Sequence, residues 1–140
     1  ERLGADIVFN STKVDVDSEI KKILPEGADF VVDAVGINAL INQAMGLVKY
    51  NGKICCYGIS PKLGMNLDWS RAPYNWTLQF VQFPLKLEEA EAHTQIAAWI
   101  KAGVLNPYDF ISDVIPFSDI LGAFEKVAAG QAQKKIVIKF

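Results

Sequence analysis

Few side chains in this 140-residue sequence are of a type that could do chemistry, and their spacing narrows the options further. Asp33 stands near the carboxyl end of the apolar stretch GADFVVDAVG, residues 27–36, which then turns on Gly36. Cys55 and Cys56 are adjacent, so they cannot be the ends of an ordinary structural disulfide. In the middle of an apolar run they read as buried, inert thiols, because free cysteine behaves as a small hydrophobe. His93 lies among Glu91, Ala92, Thr94 and Gln95 and reads as a solvated helix residue without a partner. With one histidine and no Cys-x-x-Cys, there is no zinc-site spacing. Glu88, Glu89 and Glu91 read as a solvated helix start near the positive end of its dipole. Lys134 and Lys135 read as strand-end lysines. No residue is assigned a catalytic or metal-binding role. Asp33 reads as an acid at the end of a buried strand, where such residues commonly bond local backbone.

The bulk properties agree with an ordinary globular domain. The chain is 51% hydrophobic and 21% charged, with a net charge of -2 and a pI of about 5.4. That length supports one domain with a real core. No basic patch with interleaved aromatics points to nucleic acid. No apolar run approaches the roughly 20 residues of a membrane span. No signal peptide opens the chain, so a cytoplasmic location is expected. The start, Glu1-Arg2-Leu3-Gly4, reads like the last turn of a helix with its closing glycine, as in a piece of something longer.

The elements that must position Asp33 follow from apolar patterning. ADIVF, 5–9, predicts a short strand, and Asp17 can cap a helix to about Leu24, stopped by Pro25 and Gly27. Residues 29–33 predict a strand buried on both faces. Asn38 can cap a helix to about Val48. Asn51-Gly52 signals a turn before a strand at 53–57. Strand and helix alternating with short links predict right-handed crossovers and a parallel sheet with helices on both faces. Further on, MNLDW, 65–69, alternates like an edge strand, and 76–83 reads as a strand ended by Pro84. A helix follows over 87–102, then a strand over 110–115. Ser118 can cap a helix over 119–129, and KKIVIKF closes the chain as a strand.

Taken in order, ERLGADIVFN, GADFVVDAVG, GLVKYNGKICCYGIS and PFSDILGAFEKVAAGQAQKKIVIKF resemble the C-terminal part of the medium-chain dehydrogenases. These are the zinc-type alcohol, polyol and threonine dehydrogenases. The resemblance covers almost the whole chain and is looser over LGMNLDWSRAPYNW. It implies a Rossmann-like α/β fold truncated at its N-terminal side, with 1–140 as the C-terminal portion of a cofactor-binding domain. Ligands of such sheets bind outside the carboxyl ends of the strands, where the strand order reverses.

The resemblance further implies NAD or NADP as cofactor and hydride exchange with a secondary alcohol or polyol, assisted by a zinc whose ligands would lie outside this chain. It places Ala34, Val35 and Gly36 where a cofactor passes, with Gly36 letting backbone come close. Tyr57, Gly58 and Ile59 match the segment lining the nicotinamide side. Gln79, Phe80 and Val81 fall near the segment whose backbone meets the carboxamide. Lys135 sits where some members carry an arginine that reaches the phosphates; lysine keeps the charge and loses the bidentate fork. The Gly-x-Gly-x-x-Gly turn and the ribose-reading acid are absent from this sequence. The family also implies a homodimer through the 65–69 edge, with Met65, Leu67 and Trp69 on one side. Missing its neighbour in the 3-2-1-4-5-6 strand order, 5–9 is expected to detach, pair elsewhere or swap between chains. Two other readings stand beside this one: a non-zinc quinone reductase of the same superfamily, and a binding or assembly module without chemistry.

Overall fold

A computed structural model describes residues 3–60, 62 and 64–140. The chain divides into two compact units, Glu1–Pro84 and Leu85–Phe140. The first runs α1 (Val16–Ile23), β1 (Ala28–Asp33), α2 (Asn38–Met45), β2 (Val48–Cys56), a 3-10 turn (Trp69–Arg71) and β3 (Thr77–Phe80). The strands are parallel and ordered β1-β2-β3. Val31 pairs with Ile54 and Asp33 with Cys56, so two carboxyl ends finish level; Cys56 then pairs with Phe80. A parallel pair needs a crossover. Here the crossover is α2, and its apolar residues settle on β1 and β2.

The core of this unit is Ile41, Ala44 and Met45 of α2 with Val48, Ile54 and Cys56 of β2. Ile41, Met45, Ile54 and Cys56 are fully buried. Burying a side chain of that size stabilises the fold by about 1.5–3 kcal/mol relative to leaving it in water. Phe30 and Val32, on the other face of β1, remain more than half exposed.

The second unit runs α3 (Lys86–Lys101), a 3-10 turn (Pro107–Phe110), β4 (Ile111–Pro116), a 3-10 turn (Phe117–Asp119), α4 (Ile120–Ala128) and β5 (Lys135–Lys139). The Leu85 N–H donates to Glu88 Oε2 at 2.8 Å and so helps start α3. β4 and β5 are parallel, with Val114 opposite Val137. Ile111, Asp113 and Ile115 point inward by turns, the period-2 pattern of a sheet covered on one face. Lys126 of α4 reaches Asp113 at 3.0 Å. The Ser112 hydroxyl and that ammonium hold the Asp113 carboxyl below the usual carboxylate range. The molecule is thus α/β, with parallel sheets flanked by helices.

Several local expectations are corrected. Residues 5–9 form no strand. Ile7 and Val8 are at least half exposed, and no described strand pairs with their backbone. Glu1 and Arg2, half of the expected helix end, lie outside the described residues. MNLDW is not an edge strand either. Its inward side chains, Met65 and Leu67, pack against the core, while its backbone bonds to side chains of α2. The strand expected at 76–83 ends at Phe80.

The helix caps also move. Asp15, not Asp17, precedes α1, and Ile37, not Asn38, precedes α2. Asp119, the last residue of the 3-10 turn that contains Ser118, stands before α4. Asp17 and Asn38 instead make tertiary bonds. Asp17 accepts Gln43 Nε2 at 2.5 Å and Arg71 Nη2 at 3.2 Å. Asn51-Gly52 is not a turn before β2: both residues lie inside β2, which begins at Val48, in the stretch where the register with β1 shifts and Asn51 takes φ +62°.

Candidate functional site

The carboxyl ends of β1 and β2 are the best-defined polar construction in the first unit. Asp33 is the one buried acid among the described residues, 6% exposed. Its carboxylate accepts the Val35 N–H at 3.1 Å and the Gly36 N–H at 2.9 and 3.2 Å. Its carbonyl oxygen accepts the Tyr57 N–H at 2.9 Å and the Gly58 N–H at 3.1 Å. One residue therefore closes the turn after its own strand and anchors the turn after the neighbouring strand. A buried carboxylate is costly unless such donors surround it.

The two turns touch backbone to backbone. Gly36 has φ +82°, in the left-handed region that favours glycine. A Cβ built there would lie 2.7 Å from the Gly58 carbonyl and from Ile59. A Cβ on Gly58 would run into the Gly36 nitrogen and the Val35 backbone. Both glycines are therefore required by each other, whatever else approaches them. The end of β3 joins the same construction: the Val81 N–H donates to the Cys56 carbonyl at 3.0 Å, and Gln82 Nε2 to the Gly58 carbonyl at 3.1 Å.

Cys56 sits opposite Asp33 in the parallel register. Burial, and then the charges of Asp33 and Cys55, push its thiol from 9.0 up to about 11. It stays protonated at neutral pH and is a poor nucleophile.

Around these turns Val35, Tyr57, Ile59, Phe80 and Val81 are all 43–61% exposed, with the exposed polar side chains of Gln79 and Gln82 beside them. A groove of about 310 Å³ passes Ala34 and Val35 along β1, bounded by Val16, Val32, Leu40 and Ala44. Among the described residues no Lys or Arg lines it. Such a surface suits a flat ring. It offers nothing to a diphosphate. The residues present thus fit the ring end of a nicotinamide cofactor. They do not fit a catalytic metal: among the described residues no three His, Cys, Asp or Glu side chains come together.

A model of the family described as zinc-binding dehydrogenase matches residues 3–138. The chain belongs to the zinc-binding dehydrogenase family. It is 20% identical over 117 residues to D-arabinitol dehydrogenase 1 of Uromyces fabae, covering 84% of this chain and 33% of that protein. Among solved structures it is similar to alcohol dehydrogenase TADH from Thermus sp. ATN1, with a TM-score of 0.81, 19% identity, and 98% of this chain against 39% of that one. It is also similar to 2R,3R-butanediol dehydrogenase from Bacillus subtilis, with a TM-score of 0.76, 20% identity, and 98% against 38%. The chain therefore spans about a third to two-fifths of the length of these relatives, and the structural likenesses establish the fold.

Within this zinc-binding dehydrogenase chain, the expected site residues fall into three groups. Ala34, Val35 and Gly36 meet Tyr57, Gly58 and Ile59 in the turn crossing. Phe80 and Val81 finish the adjacent strand, with exposed Gln79 one step earlier, opposite Cys55. Lys135 belongs to the second unit, where it opens β5 opposite Ile111. Sequence patterning passes over Gln82. It places that residue inside a strand, and only the early end of β3 frees its amide to reach Gly58. No membrane-crossing helix occurs among the described residues.

Proposed function

We propose that residues 1–140 are the C-terminal portion of a nicotinamide-binding domain, in a dehydrogenase that moves a hydride between a secondary alcohol or polyol and NAD or NADP. The observation that carries this reading is the crossing of the 34–36 and 57–59 turns at the carboxyl ends of adjacent parallel strands. Ligands of open parallel sheets bind at that end. Membership of the zinc-binding dehydrogenase family supports the chemistry.

In this reading the chain's own residues bind and orient. Val35, Tyr57 and Ile59 supply an apolar ledge for the ring, and the backbone of 79–81 lies one strand further along. The cofactor, when bound, supplies the hydride acceptor. In the family reading a zinc would polarise the alcohol oxygen; among the described residues no three His, Cys, Asp or Glu side chains come together that could hold one. A homodimer is proposed through 65–69, where Trp69 is 70% exposed and meets Trp76 edge-on at 6.2 Å.

The test is titration of the polypeptide encoded by the native gene with NADH and with NADPH, followed by amide NMR. Shifts should concentrate at 34–36, 57–59 and 79–81. Shifts confined to other surfaces, or none at millimolar cofactor, would remove the reading. For the dimer, light scattering that reports a monomer at high concentration would remove that part alone.

A further inference from the structure

We infer that Asp33 is the positioning residue of the ledge, setting the placement of both turns and through them the affinity for the nicotinamide end of the cofactor. This rests on the cofactor reading above. Asp33 need not touch the cofactor. Its two carboxylate oxygens take the N–H groups of Val35 and Gly36, which fixes one turn. Its carbonyl takes the N–H groups of Tyr57 and Gly58, which fixes the other. The side chains proposed to meet the ring, Val35, Tyr57 and Ile59, are these turn residues or their direct neighbours. Among the described residues of the first unit, no other bonds to both turns.

The geometry also explains why an acid is needed there. Two backbone N–H groups converge on one side chain. A carboxylate offers two acceptor oxygens, whereas an amide offers one and turns a donor toward the same N–H groups. Oδ1 accepts from both Val35 and Gly36, and Oδ2 makes the shorter bond to Gly36, so an asparagine with its oxygen in the Oδ1 position would keep the two longer bonds and set its NH2 against the Gly36 N–H in place of the 2.9 Å bond. A small misplacement of a positioning group is enough to cost a large factor in productive binding.

The experiment compares wild type, Asp33→Asn, Asp33→Ala and Ile54→Val in the polypeptide encoded by the native gene. Ile54 is a buried core residue of β2 outside the groove lining, so its truncation lowers stability without touching the turns. The readouts are the melting temperature, the NADH and NADPH dissociation constants from nicotinamide fluorescence, and amide exchange at Gly36 and Gly58. Asp33→Asn should weaken cofactor binding about tenfold and Asp33→Ala more, with faster exchange at Gly36, which loses its carboxylate acceptor, and a smaller change at Gly58, whose acceptor is the backbone carbonyl that both variants keep. Ile54→Val should leave affinity within about twofold. Equal affinity in wild type and Asp33→Asn would overturn the role of Asp33 and leave the cofactor reading standing. If wild type binds neither nucleotide, both fall. Should both Asp33 variants fail to fold, wild type decides the matter. NADH should then slow exchange at Gly36 and Gly58 together, and slowing at only one would overturn the inference.

Discussion

The turns at 34–36 and 57–59 and the extended segment at 65–68 all belong to the first unit and all lie outside helix and strand, yet they are held by different chemistry. The turns are held by a buried carboxylate and by two glycines that leave no room for a side chain. The segment is held by two amides one turn apart on α2. Asn38 Oδ1 accepts the Asn66 N–H at 3.0 Å, Asn42 Nδ2 donates to the Asn66 carbonyl at 2.8 Å, and Asn42 Oδ1 accepts the Asp68 N–H at 2.7 Å. Together they present donors and acceptors much as a neighbouring strand would. The turns depend on fit and tolerate no added atom. The segment depends on exchangeable hydrogen bonds at an exposed surface, where water can take over.

That contrast can be broken at four places. Gly58→Ala should do the most damage, because the new methyl meets backbone, which no rotamer change relieves. Urea denaturation should report a loss of about 3 kcal/mol, at the upper end of overpacking. Alkaline pH comes next. The Cys56 thiol holds its proton up to about 11 in the folded chain but releases it near 9 when unfolded. The unfolded state therefore binds fewer protons between those values, and stability falls as pH rises from about 9 toward 11. Cys56→Ala should flatten that slope, and a slope unchanged from wild type would contradict the buried thiol.

Asn42→Ala strikes the second region. Its bonds are exposed, so the cost should be about 1 kcal/mol, with faster amide exchange confined to residues around 66–68. A loss as large as that of Gly58→Ala would erase the contrast. The smallest effect belongs to Arg71→Ala, which removes a partly exposed ion pair with Asp17. A change of about 0.5 kcal/mol is expected, shrinking further in high salt. Paired melts at low and high salt would show it.

Apolar runs made most of the elements legible. β1, α2 and the closing β4-α4-β5 succession follow from them to within a few residues, as does the parallel arrangement; of β2 only the second half does, since the strand starts at Val48 and runs through the expected turn. So does the importance of Asp33, since an acid closing an apolar run needs donors nearby. What escaped was anything settled between distant parts of the chain. MNLDW has the alternation of a strand, and Met65 and Leu67 do face inward, but its hydrogen-bonding partners turned out to be side chains. Asp17 and Asn38 have the chemistry of caps. Local pattern cannot tell a cap from a tertiary anchor, because the competing partners, Gln43, Arg71 and Asn66, lie 26, 54 and 28 residues away. ADIVF has the composition of a strand, but a strand is a property of two segments.

The beginning of β2 has a bearing on how the molecule tolerates change. Ala28 stands opposite Val48 and Phe30 opposite Lys53, so β2 uses three more residues than β1 over that interval. The surplus is gathered around Asn51, whose N–H is tied to the Asn75 carbonyl at 2.7 Å. From Lys53 onward the register with β1 and β3 is unbroken. The slack is stored at the amino end, and alignment is enforced at the other. Residues gained or lost near Tyr50 and Asn51 could be absorbed locally, while the same change after Lys53 would slide Cys56 past Asp33 and pull the crossing turns apart. In engineering terms, β2 has an expansion joint at one end and a locating pin at the other.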